Sequence, residues 1–151
     1  VSLRLELQRR VRSWSPSPAE LKRWASAALG RAAHGGELGV CMVGALESAR
    51  LNARYRGRDR PTNVLSFPAA PLPHGGPGAR PLGELVICPR VLRAEARAQD
   101  KPLRAHWAHL IVHGALHLVG YEHERDEDAR RMERREIAVL RRLGFTNPYR
   151  S

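Results

Sequence analysis

Leu3, Leu5 and Leu7 alternate with Arg4, Glu6 and Gln8, the period of a strand with one buried and one wet side. The period then lengthens. Leu21, Trp24, Ala25, Ala28 and Leu29 recur every three or four positions, one face of a core-facing helix. Ser17 as N-cap, Pro18 at the first helical position and Glu20 three residues after the cap mark its start, because that set satisfies two otherwise free backbone N–H groups. Gly35 and Gly36 interrupt the chain, and 38–43 is apolar on both sides, which predicts a central strand. A second helix is predicted over 45–55, and a basic Gly/Pro turn then leads into a short strand ending at Pro68. Residues 68–82 contain five prolines and three glycines without any apolar period, so they read as an irregular surface loop joining two strands.

Residues 83–88 read as a further strand and 91–98 as a helix, and Pro102 opens a long one. Leu103, Trp107, Leu110, Ile111 and Leu118 lie on one side of this last helix and Val112 and Leu116 on another, so it is apolar nearly all round and should be buried. Asp126, Glu127 and Asp128 favour the start of a final helix, Ala129, Met132, Val139, Leu140 and Leu143 form its buried stripe, and Gly144 ends it. Arg130, Arg131, Arg134, Arg135, Arg141 and Arg142, interleaved with Glu133 and Glu136, read as its solvated face. The order of elements argues an α+β fold: a single domain over 1–151, with a sheet of about four strands and about five helices packed on it.

A chain of 151 residues can bury a core without disulfides. Cys41 and Cys88 each sit in an apolar run, the environment of reduced core thiols. No apolar run approaches the ~18 residues that span a bilayer, and 1–4 lacks a signal peptide's apolar block, so the expectation is a soluble, cytoplasmic protein without membrane attachment. The formal charge of +11 rests on 26 basic residues, of which only Lys22 and Lys101 are lysines. That balance suits a polyanionic partner.

The stretch from His113 to His123 turns this outline toward chemistry. His113 and His117 stand four apart, on one side of a helix and roughly 6 Å from each other, so both imidazoles can reach one ion. Gly120 supplies the residue type that ends helices in a left-handed conformation, which brings His123 back as a third ligand. H-x-x-x-H-x-x-G-x-x-H is the metzincin spacing, but Gly114 stands where those proteases carry their general base. Three neutral imidazoles with a fourth position open is the donor set of a catalytic zinc centre. His106 and His109 fall in the same sector of about 80° at 100° per residue, too far along the helix to share an ion with His117. Roles for them beside the ligands, along a cleft or on the surface stay open. Arg54, Arg56, Arg58 and Arg60 lie on a turn leading to a strand, and their planar guanidinium groups match phosphate oxygens, so they form a candidate phosphate clamp. His74 reads as a solvated residue of the Pro/Gly loop, and that loop is a candidate cover for the site. Glu84 reads as a carboxylate at a strand start.

Two of these stretches resemble the YbeY family. The segment His113-Gly114-Ala115-Leu116-His117-Leu118-Val119-Gly120-Tyr121-Glu122-His123 is similar to its H-G-x-L-H-L-x-G-Y-D-H signature, with Glu122 in place of Asp. The run Tyr55-Arg56-Gly57-Arg58-Asp59-Arg60-Pro61-Thr62-Asn63-Val64-Leu65-Ser66-Phe67-Pro68 resembles Y-R-G-x-D-x-P-T-[DN]-V-L-S-F-P, and Gly83-Glu84 resembles a Gly-Asp pair. The resemblance spans 45–143. It implies a metal-dependent, single-strand-directed endoribonuclease acting in ribosomal RNA maturation and ribosome quality control, with Zn²⁺ as metal. Ribosomal proteins or a ribosome-associated GTPase would be its partners. His113, His117 and His123 would be the ligands, His113 and Arg56 the catalytic residues, and Arg56 a substrate contact; Arg58 is a candidate substrate contact from the arginine-rich turn alone. Two rivals stand beside it. A metal-dependent peptidase or amidohydrolase would need Glu84 or Glu122 as base. A non-catalytic RNA-binding assembly factor would use its metal only for folding.

Overall fold

The structure, a computed structural model, describes residues 2–70 and 80–150. Among these the chain runs β1 (Arg4–Arg9), α1 (Pro18–Leu29), a 3₁₀ turn (Gly30–Ala33), β2 (Gly36–Met42), α2 (Ala45–Arg56), β3 (Val64–Pro68), β4 (Arg80–Ile87), α3 (Pro89–Ala98), α4 (Leu103–Leu118) and α5 (Asp126–Arg142). The expected α+β architecture is present, with one sheet ordered β1-β2-β4-β3. β1, β2 and β4 run parallel, and β3 is antiparallel to β4. None of the described helices is long and apolar enough to cross a membrane.

Local sequence accounts for most element starts. The Ser17 hydroxyl accepts the Glu20 N–H at 3.2 Å, and the Glu20 carboxylate accepts the Ser17 N–H at 3.2 Å, so the expected capping box forms. The Pro/Gly-rich loop is shorter than its composition predicts. Strand β4 begins at Arg80, because Arg80 and Pro81 lie opposite Gly36 and Glu37 of β2. The Arg80 N–H donates to the Gly35 carbonyl at 3.0 Å and its guanidinium to the Ala32 carbonyl at 2.8 Å. A partner strand outweighs proline content where the missing N–H falls at a strand's first residues. His74 and the expected cover fall within 71–79, outside the described residues. Helix α3 likewise begins at Pro89 rather than Val91, since proline fits a helix's first turn.

The core lies on one face of the sheet. Leu38, Val40 and Met42 of β2, Leu85 and Ile87 of β4 and Val64 of β3 alternate onto it, and all are buried. Helix α4 packs against β3, β4, α1, α3 and α5, and Trp107, Ile111, Val112, Ala115 and Leu116 on it are fully buried. Close approach requires the glycine at 114. A Cβ there would meet Leu85 Cδ2 at 2.9 Å and Ser66 Oγ at 3.3 Å, and Ser66 Oγ donates to the Gly114 carbonyl at 3.1 Å. Position 114 therefore faces the sheet, with no room for the glutamate that a metzincin carries there.

Candidate metal centre

Helix α4 ends as its glycine predicts. Gly120 has φ +102°, its N–H donates to the His117 carbonyl at 3.1 Å, and the Tyr121 N–H reaches back to Leu116 at 3.1 Å. This turn returns the chain to the helix. His113, His117 and His123 each offer a ring nitrogen within 4.8 Å of the other two. Their ring centroids lie 4.8 Å apart for His113 and His117, 4.7 Å for His117 and His123, and 5.6 Å for His113 and His123.

The surroundings fit an ion. His117 Nε2 is buried without a hydrogen-bond partner, a costly arrangement unless something accepts its lone pair. Burial holds the His117 pKa down at about 4, with the charges of His113, His123 and Arg56 acting the same way, so the ring stays neutral near pH 7, as a ligand must be. His113 Nδ1 lies 2.8 Å from Glu136 Oε2, and since an ionised carboxylate only accepts, the proton sits on Nδ1 and Nε2 is left with a lone pair.

Arg56, the last residue of α2, lines the same cavity of about 420 Å³ together with the three histidines, Ser66 and Tyr149. The loop that follows it is held by two polar residues buried on α2. Asn52 Nδ2 donates to the Arg60 carbonyl at 2.9 Å; Ser48 Oγ donates to the Thr62 carbonyl at 3.1 Å and accepts the Thr62 N–H at 2.9 Å. These bonds fold the basic loop back from α2 toward β3. Arg58 is exposed on that loop and does not line the cavity, so the structure brings Arg56 to the histidines and leaves Arg58 away from them. Glu84 is directed elsewhere. It lies opposite Phe67 and Gly39, in phase with Val86 and Cys41 on the far face of the sheet.

One reading of the last helix is overturned. Glu136 was expected on the solvated face of α5, yet it is only 1% exposed and accepts hydrogen bonds from His113, His109 and Tyr149. Met132, Glu136, Val139 and Leu140 share one side of α5, and the helix turns that side to α4. A carboxylate in the middle of an apolar stripe was the available signal. Burial raises the Glu136 pKa, but hydrogen bonds from His109, His113 and Tyr149, together with the His113 charge, outweigh it and hold the group at about 2. The outer arginines of α5 are exposed as expected, except half-buried Arg135. Tyr149 follows the last helix, where no periodicity could have marked it.

The two remaining α4 histidines also meet carboxylates. His109 Nε2 lies 2.8 Å from Glu136 Oε1, and buried His106 lies 2.9 Å from Glu95 Oε1. Burial raises the Glu95 carboxyl, but hydrogen bonds from His106 and Asn63 keep it below its usual range. Asn63 stands at the entry to β3, so Glu95 ties α4 to that strand.

Comparison with known proteins gives the family. Residues 8–144 match the family model described as Endoribonuclease YbeY. An Endoribonuclease YbeY of Methylococcus capsulatus is 51% identical over 146 residues, 97% of this chain and 95% of that protein. The solution structure of a Thermotoga maritima protein shares the fold, with a TM-score of 0.55, 23% identity and 99% of each chain covered. The chain belongs to the Endoribonuclease YbeY family.

Proposed function

We propose that the chain is a zinc-dependent endoribonuclease that cuts single-stranded RNA during ribosomal RNA maturation and ribosome quality control. It acts as one domain over 1–151 in the cytoplasm, with ribosomal proteins or a ribosome-associated GTPase as partners. The observation that carries this reading is the convergence of three imidazoles in a cavity that Arg56 also lines. His113, His117 and His123 would hold the ion, and three neutral nitrogen donors suit Zn²⁺. Such an ion, when bound, supplies Lewis-acid polarisation of a phosphoryl oxygen and acidification of water. His113 is catalytic through the ion it holds.

Arg56 supplies what the ion does not. Its guanidinium can take two phosphate oxygens at once, which orients the scissile group and offsets the negative charge that grows in the transition state. Arg58, further out on the loop, contacts the neighbouring phosphate, and the net charge of +11 draws the polyanion in. Similarity along nearly the whole chain, at 51% identity, to a protein named Endoribonuclease YbeY supports the same reaction. Peptide hydrolysis is less well supported, because position 114 is packed against Leu85 and Glu84, one of its two candidate bases beside exposed Glu122, faces the other side of the sheet.

The test compares metal-loaded protein with folded His113→Ala on a ribosomal RNA fragment bearing a single-stranded 3′ end, alongside chelator and mock-purified controls. Cleavage that needs both the metal and His113, and that falls for Arg56→Glu, is the expected result. Equal cutting by the two proteins would mean contamination and end the nuclease reading. Binding of RNA without cutting by either would favour an assembly factor.

A further inference from the structure

We infer that Glu136 is a positioning residue for the metal centre, and that through Tyr149 it couples ion affinity to the seating of the C-terminal segment. The inference rests on His113, His117 and His123 being a metal site. Glu136 divides its two oxygens. Oε2 accepts from His113 Nδ1 at 2.8 Å, while Oε1 accepts from His109 Nε2 at 2.8 Å and from the Tyr149 hydroxyl at 2.5 Å. A carboxylate that accepts the far N–H of a ligand histidine fixes the ring's tautomer and direction and makes the near nitrogen a better donor. The carboxylate plane is itself set by what holds the other oxygen. His109 and Tyr149 do that here, from outside the ligand set.

The tail that carries Tyr149 is built onto the domain. After α5 it turns back, Phe145 packs edge-on to Trp24 at 5.6 Å between ring centroids, and Lys101 Nζ donates to the Pro148 carbonyl. The Tyr149 N–H then caps onto Asn147 Oδ1 at 2.9 Å, and its ring stands edge-on to His109 at 5.3 Å. The result is a phenol at the rim of the cavity whose hydroxyl points to a buried carboxylate rather than to solvent.

His109, His113 and Glu136 could also be taken as a second ion site, since their ligand atoms lie within 4.8 Å of one another. Distances argue otherwise. Two ligand atoms bound to one tetrahedral zinc at ordinary bond lengths stand roughly 3.3 Å apart. The two nitrogen–oxygen separations here are 2.8 Å, the length of a hydrogen bond with a proton in it.

The experiment compares the full chain with Glu136→Gln, Tyr149→Phe and, as a surface control, Arg142→Ala. Zn²⁺ affinity is measured by competition with a chromophoric chelator, the Co²⁺ visible spectrum is recorded, and thermal unfolding of the metal-free forms is followed. Glu136→Gln should weaken Zn²⁺ by about 10- to 100-fold and alter the Co²⁺ spectrum. Tyr149→Phe leaves the carboxylate in place and removes one hydrogen bond, so it should weaken Zn²⁺ by about 2- to 10-fold with a spectral change in the same direction. A carboxylate that merely braces the fold would lower the unfolding temperature without moving the spectrum. Parent-like affinity and spectrum in folded Glu136→Gln overturn the positioning role. Should that variant fail to fold, Tyr149→Phe decides alone, and parent-like values overturn the inference. A weakened Glu136→Gln beside an unchanged Tyr149→Phe keeps the positioning role and overturns the coupling to the tail. If the parent binds no stoichiometric ion, the metal reading itself fails and the inference falls with it, an outcome distinct from a parent that binds as tightly as its variants do.

Discussion

On one face of the sheet Leu38, Val40, Met42, Leu85 and Ile87 meet α1 and α4 in a large buried cluster; on the other, Cys41, Val43, Leu65 and Val86 have little beyond Leu51 and Phe67 to pack on. The helix on that second side, α2, buries Ser48 and Asn52, leaves Leu46 and Tyr55 exposed, and spends its polar contacts on the loop after Arg56. The crowded face does two jobs at once. It supplies the apolar burial that holds the domain, and it holds α4 against the sheet so closely that only glycine fits at 114, which places the histidine row beside β3. The sparse face carries the helix whose last residue, Arg56, reaches the cavity. One face thus fixes the three histidines and the other the charge beside them, which predicts unequal tolerance to substitution.

The largest expected effect is chemical. His117→Ala should abolish stoichiometric ion binding, a loss beyond the ~10- to 100-fold typical of removing a group behind a ligand, and RNA cleavage should fall with it. Retained stoichiometric binding, read by metal analysis after gel filtration, would contradict the site. Next comes packing. Leu85→Ala on the crowded face should cost about 2–5 kcal/mol in urea unfolding, whereas Val86→Ala on the sparse face should cost about 1 kcal/mol. Equal losses would remove the asymmetry.

Acidity separates the faces in another way. Glu136 has its pKa lowered to about 2 from an ordinary 4.5, so the folded state binds its proton less readily than the unfolded chain does. Its contribution is complete above the unfolded value and lost as pH falls from about 4.5 to about 2, and it amounts to a few kcal/mol at most. Metal-free protein should therefore lose urea resistance across that window, and Glu136→Gln should flatten the limb. The same slope in both proteins would assign the acid sensitivity to other groups. The smallest effect is expected on the sparse side, where Leu46 is 66% exposed. Leu46→Ser should stay within about 0.5 kcal/mol of the parent in the same unfolding assay.

Much of this was legible in the chain because the signals are local. The capping box at Ser17, the alternation of Leu3, Leu5 and Leu7 and the glycine after α4 each depend on a few consecutive residues whose backbone preferences and periodicity are independent of anything distant. The start of β4 was not legible, since Arg80 and Pro81 become strand only through the partner that Gly36 and Glu37 present. Glu136 was misplaced for a similar reason. An acid between arginines on a helix reads as solvated until another helix brings histidines to it.

The sequence by itself determined the elements, their order, the apolar faces, and the spacing that lets His113, His117 and His123 converge, because helix pitch and a left-handed glycine set those relations within eleven residues. Only the tertiary structure decided that Arg56 and not Arg58 reaches the cavity, that Glu84 faces away, and that Glu136 and Tyr149 stand behind the histidines. Those relations join residues far apart in the chain. They are set by how α4 packs on the sheet and α5 on α4, and no local period records that packing.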